Sequence, residues 1–139
     1  MNLLFDEYRV KWAIKYLHEA ELNIITAQNE SSIDLGIYLA IFAIKKIQLA
    51  LYYLFGDPSY LNSLVKSNLD AKKLDPVMKH LVQVESLIQI ITSKTYLLNN
   101  VDNFNKIKKF IEINSQLIKK ILKKTSYLKK DFETDEIKN

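Results

Sequence analysis

The sequence predicts an all-α fold, a four-to-five-helix antiparallel-type bundle, and three observations carry the prediction of helices. Residues 34–55, DLGIYLAIFAIKKIQLALYYLF, form about six turns of nearly all-round apolar helix, the pattern of a central helix wrapped by others. Gly and Pro occur only twice each in 139 residues. A sheet protein of this length needs many turns, and turns consume these residues, so a few long helices fit better. Apolar residues also recur at three- and four-residue spacing through most of the remaining chain. With 48% apolar and 26% charged residues, residues 1–139 read as one globular helical domain with a core of its own.

The first helix is predicted over residues 6–28, with Val10, Ala13, Ile14, Leu17, Ala20, Ile24 and Ala27 on one face. Lys11, Lys15, His18, Glu19 and Leu22 fall on the other. Residues 29–32 are a polar connector in which Ser31 or Ser32 caps the next helix. Residues 34–55 follow, and at 100° per residue Asp34, Tyr38, Lys45, Gln48 and Tyr52 share one narrow stripe. Gly56 is placed to end this helix in a left-handed conformation, with Pro58 beyond it.

Residues 58–66 make a short helix, and residues 67–74 read as a loop. Asp75-Pro76 is a strong start signal, a capping carboxylate followed by proline at the first helical position. That helix runs to residue 93 on a seam of Val77, Leu81, Val84, Ile88 and Ile91. Residues 94–101 are expected as a loop. Asp102 is a capping candidate for a last helix over 102–130, with Phe104, Ile107, Ile111, Ile118, Ile121 and Leu122 inside. Residues 131–139 form a polar, frayed tail.

Composition excludes several chemistries. Cysteine is absent, which removes disulfides, thiolate catalysis and thiolate metal sites. There are two histidines and no HxxxH or ExxH pair, so no metal site and no cofactor are expected. The N-terminus has no basic segment leading into an apolar one, so no signal peptide is read there and the expected location is cytoplasmic. Asp34 and the Lys45-Lys46 pair interrupt the apolar stretch, so no membrane span is expected; such residues cost about 2.5–3.5 kcal/mol each at the centre of a bilayer.

Charge is unevenly placed. Residues 103–130 hold nine Lys and one Glu, a formal +8, against +4 for the whole chain, leaving −4 elsewhere. Lys106, Lys109, Lys119, Lys120, Lys123 and Lys124 are the candidate contacts to nucleic-acid phosphates, in a sequence-independent manner suited to lysine. The alternative is a solvated face whose cations suit a helix C-terminus. Asp34, Lys45, Gln48 and Tyr52 either line a small cleft or mark where their helix meets solvent or a second subunit. Trp12, the one tryptophan, is a candidate interface residue on the otherwise polar side of its helix. His80 is either a general base, with Lys73 or Lys45 as its cation, or a boundary histidine bonded to a neighbouring helix.

The pattern Ala40-x-x-Ala43-Ile44-x-Lys46-x-x-x-Ala50-Leu51-Tyr52-Tyr53, closed by Gly56, is similar to the second helix of HEPN domains, and Lys15-x-Leu17-x-x-Ala20-Glu21-Leu22 resembles their first. The likeness covers roughly residues 8–57. Catalytic members are ribonucleases that carry Arg, four to six residues, then His. Here six residues separate Lys73 from His80, and a lysine lacks the planar fork an arginine offers to phosphate. The resemblance therefore implies a non-catalytic module that binds RNA or nucleotide, as a homodimer and as the partner of a nucleotidyltransferase or one half of a toxin–antitoxin pair. The alternatives are a weak metal-independent ribonuclease using His80, and a helical scaffold that binds only protein.

Overall fold

Side-chain caps set most of the helix starts, and the computed structural model, which describes residues 7–124, shows each of them. Helix α1 spans Glu7–Asn29. Ser32 accepts from the Leu35 N–H to open α2, Ile33–Phe55. Asp57 accepts from the Tyr60 N–H ahead of α3, Pro58–Ser67, and Asp75 from the Met78 N–H ahead of α4, Pro76–Ser93; in both a proline takes the first helical position. Helix α5 spans Val101–Lys123. All secondary structure among the described residues is helical.

Four details differ from expectation. Gly56 is extended (φ 172°), not left-handed; its N–H closes α2 onto the Tyr52 carbonyl at 2.9 Å. A Cβ there would lie 3.2 Å from Leu61 Cδ1, close enough that the leucine would have to give by a few tenths of an ångström. The stretch expected as a loop after α4 contains a 3-10 turn, Thr95–Asn99, which buries Leu98. Asn100 rather than Asp102 caps α5, its side chain accepting from the N–H groups of Asp102 and Asn103; Asp102 instead supplies the first-turn acid that suits a helix N-terminus. Val77, assigned to the α4 seam, is exposed. The expected extension of α5 to residue 130 and the tail at 131–139 lie outside the described residues, as does Asp6.

Long-range contacts set the helix directions. Trp12 and Tyr16 of α1 stack on Tyr53, while Glu19 further along α1 pairs with Lys46 earlier in α2, so α1 and α2 are antiparallel. Ala27 and Gln28 share a hollow of about 300 Å³ with Val101, Phe104 and Asn105, and Glu21 meets Ser115 and Lys119, so α5 is antiparallel to α1. Gln48 of α2 meets Glu85 of α4, whose far end leads through the 3-10 turn to Leu98 beside Ile37; α4 is thus antiparallel to α2. The four long helices alternate in direction along the chain, and α3 is a short insertion between the second and third.

Helix α2 packs against α1, α3, α4 and α5 and is the hub of one continuous core, in which Ala40, Ile44, Ile47, Ala50 and Leu51 are completely buried. It is not wrapped all round, as a helix this apolar was expected to be. Leu35, Tyr38 and Phe42 stand 47%, 60% and 50% exposed along one side. Among the described residues α2 is the one helix long and apolar enough to cross a membrane, and 56% of its most apolar window lies buried inside the bundle, as in a core helix.

Candidate nucleic-acid interface

Helix α5 buries Ile107, Ile111, Asn114, Ser115, Ile118 and Leu122, which at 100° per residue cover about 100° of its circumference. The lysines occupy the rest. Lys106, Lys109, Lys120, Lys123 and Lys124 are exposed, and Lys108 and Lys119 stand at the edge nearest α1. Lys106, Lys108, Lys109, Lys120 and Lys124 make no ion pair among the described residues. Glu112 is the one acid between Lys106 and Lys124. One acid among seven lysines offsets little of the repulsion along this arc, so an incoming polyanion would relieve it.

Lys119 is the exception. Its Nζ donates to Glu21 Oε2 at 2.8 Å, and the buried Ser115 hydroxyl donates to the same oxygen. Burial works against the Glu21 charge, but the hydrogen bonds from Lys119 and Ser115, and the charges of Lys119 and His18, outweigh it and hold the carboxyl below its ordinary range. These residues, with Ile25 and Lys108, line a groove of about 370 Å³ between α1 and α5. Lys119 is therefore committed to a clamp between α5 and α1.

His80 is bonded to α5. His80 Nε2 lies 2.6 Å from Oδ1 of Asn114, and Asn114 Nδ2 donates to the Phe110 carbonyl at 2.9 Å. With the amide oriented that way, Nε2 carries the proton and donates it, leaving Nδ1 as the ring's only acceptor. Lys73 stands exposed in the loop before α4, and Lys45 is exposed on α2. His18 is exposed on α1.

The polar stripe of α2 divides along its length. Asp34, Tyr38 and Lys45 are at the surface, Gln48 is half-buried and Tyr52 is buried. Gln48 Nε2 donates to Glu85 Oε1 at 2.6 Å, and Gln89 Nε2 donates to Glu85 Oε2 at 2.9 Å. The buried Tyr52 hydroxyl beside them makes no hydrogen bond of good geometry among the described residues, the Gln48 amide being given to Glu85. Burial, then the Glu85 charge, push its phenol up to about 12, with the Gln48 amide opposing. Glu85 was missed from the sequence, although its spacing from Leu81 and Ile88 puts it on the apolar seam of α4.

Trp12 lies half-buried among rings at the α1–α2 seam. Its ring is 5.8 Å from Tyr16 and 6.1 Å from Tyr53, and Tyr16 is 5.7 Å from Tyr53, with planes within 28° of one another. Tyr8 meets Trp12 edge-on at 6.1 Å. Lys15 Nζ sits 4.5 Å over Trp12 and Lys46 Nζ 5.5 Å over Tyr16, cation–π distances in both cases. Partial burial, then Tyr16, Tyr8 and Asp57, push the Tyr53 phenol above its ordinary value. Glu19 pairs with Lys46 and lies 3.9 Å from Lys15. Glu19 and Glu21, two residues apart, point about 200° apart around α1, so the rings and the lysine-rich α5 occupy different sides of it.

No group of three or more potential metal ligands is assembled among the described residues. Comparison with protein-family models, with curated proteins and with solved structures finds no match to this chain.

Proposed function

We propose that this chain is a non-catalytic, HEPN-like helical module that binds single-stranded RNA or nucleotide through the exposed arc of α5. The observation that carries the reading is the arc itself: five lysines without an ion pair among the described residues, on a helix whose apolar side fixes which way they face. Lysine contacts neutralise phosphates and read no base edges, so the expected binding is strongly salt-dependent and nearly indifferent to sequence.

Anisotropy of a labelled single-stranded RNA, titrated at about 50 and 200 mM salt, tests this. Affinity is expected to fall steeply between the two, and the RNA should be recovered intact. Lys120→Ala and Lys124→Ala should each weaken binding across all sequences and lower the salt slope by about one. Absence of salt-sensitive binding removes the proposal and leaves a protein-binding scaffold; cleavage abolished by His80→Ala would replace it with the ribonuclease reading.

A homodimer is part of the same proposal, and the exposed Leu35, Tyr38 and Phe42 support it. Three large apolar side chains in one strip of the hub helix mark a contact surface better than a solvated one. Sedimentation should show a concentration-dependent dimer that Phe42→Lys dissociates. A wild-type chain that stays monomeric at high micromolar concentration would rule the dimer out. A nucleotidyltransferase partner or a toxin–antitoxin pairing remains what the family resemblance suggests as a setting.

A further inference from the structure

The ring cluster at the α1–α2 seam is unlike an ordinary core contact. Trp12, Tyr16 and Tyr53 form a near-equilateral triangle of centroids, 5.7–6.1 Å apart, with planes within 28°. Coplanar rings would collide at that spacing, so the three are offset-stacked, each stepped in height from the next. None of the three is fully buried. Tyr8 stands at 66° to Trp12 and forms a wall at one edge. A cage for an ammonium ion needs rings at steep angles around a central point, and three nearly parallel rings do not supply one. A flat ligand extends such a stack by lying on an outer ring face.

The charges narrow the ligand further. Lys15 and Lys46 hold their ammonium groups against the rings, and Glu19 offsets one of them. Covering this patch with a second protein surface would strip water from those cations, at a cost that an apolar partner cannot return. The strip of Leu35, Tyr38 and Phe42, further along α2, presents no such obstacle. A ligand that brings a planar ring and an anion together satisfies both halves of the ring patch.

We propose that Trp12, Tyr16 and Tyr53 form a stacking site for an unpaired base of single-stranded RNA, with Lys15 leaving the Trp12 face to meet the adjoining phosphate. The proposal rests on the RNA-binding reading and adds to it a second site, on the other side of α1 from the lysines of α5. Base–aromatic stacking tolerates any base, because each has a π-face, so the site reinforces sequence-independent binding.

The chain has one tryptophan, so its emission reports on this platform alone. A 12-nucleotide oligo(A) titrated into the full chain should quench Trp12 emission with the midpoint seen by anisotropy of the labelled oligomer. Trp12→Leu should weaken binding roughly 5- to 100-fold, the usual range for losing one stacked ring. Trp12→Phe should recover most of the affinity, and circular dichroism melts would identify a variant that fails to fold. Tyr53→Leu, read by quenching of the intact Trp12, provides a second route to the same answer. RNA binding by anisotropy with unchanged Trp12 emission overturns the platform and leaves the α5 reading standing; no RNA binding by either readout overturns both. Emission that shifts with protein concentration and ignores RNA assigns the rings to a second copy of the chain. Quenching by AMP as tight as by the oligomer assigns them to a free nucleotide. Either result overturns the proposal.

Discussion

Ile47→Ala is expected to cost about 2–5 kcal/mol of folding stability, the range for truncating a fully buried aliphatic side chain. Ile47 is completely buried in the helix that touches all the others. The cost belongs at the upper part of that range because the surroundings are poor at closing a void. Helices α1 and α2 carry Ala13, Ala20, Ala27, Ala40, Ala43 and Ala50 as buried residues, and alanine has no rotamer to swing into a hole. The lost methylenes and methyl groups give up both transfer energy and close contacts. In a domain of this size each kcal/mol corresponds to roughly 4 °C in Tm, so a fall of about 8 °C or more should appear in a thermal melt. Ile113→Ala, at a residue 56% exposed on α5, is the control and should move Tm little. Equal shifts for the two variants would place Ile47 outside the core.

Tyr52→Phe is expected to act in the opposite direction and to stabilise the fold by about 1–3 kcal/mol, because it removes a buried hydroxyl with no well-formed hydrogen bond among the described residues and keeps the ring. The pH dependence provides a second readout. The phenol is pushed from near 10 up to about 12 in the folded chain, so folding favours the protonated form. Its contribution is complete below the unfolded value near 10 and is lost as pH rises through about 12. The phenylalanine variant has no such group, so its advantage over the parent should widen between those two values. Urea unfolding at pH 7 and pH 11 measures both effects. A variant less stable than the parent at pH 7 would mean that the hydroxyl is satisfied.

These residues differ in how far the sequence announced them. The helices were legible because their signals are local: a 3.6-residue apolar period, the Asp75-Pro76 start, and a serine cap before α2. Ile47 could be placed in the core for the same reason. Local signals also misled where two readings were chemically equivalent. Asn100 and Asp102 are both good caps and lie two residues apart, so the sequence alone did not decide between them. No period in the sequence encodes the approach of Leu61 to Gly56.

The candidate site was less legible because its parts meet across the bundle. The lysine excess in the last helix is visible by counting. That Lys119 is committed to Glu21, 98 residues away in sequence, is not. The ring cluster draws on two helices: the four-residue spacing of Tyr8, Trp12 and Tyr16 puts them on one face of α1, but nothing in that spacing announces Tyr53 of α2. Tyr52 was visible as a polar atom on a buried helix, but its orphaned state depends on Glu85 being taken up by Gln48 and Gln89. Glu85 itself was available to a stricter reading of the α4 period.

Asn114 and Ser115 are neighbours on α5, so their side chains leave the helix about 100° apart. One reaches α4 through His80 and the other reaches α1 through Glu21. A helix held only by interchangeable aliphatic contacts can turn about its own axis at small cost. Two polar tethers at a wide angle remove that freedom, since a turn of one residue would break both and leave buried polar groups unpaired. The rotational setting of α5 is thereby fixed from inside the bundle, and with it the direction in which every lysine on the opposite arc points.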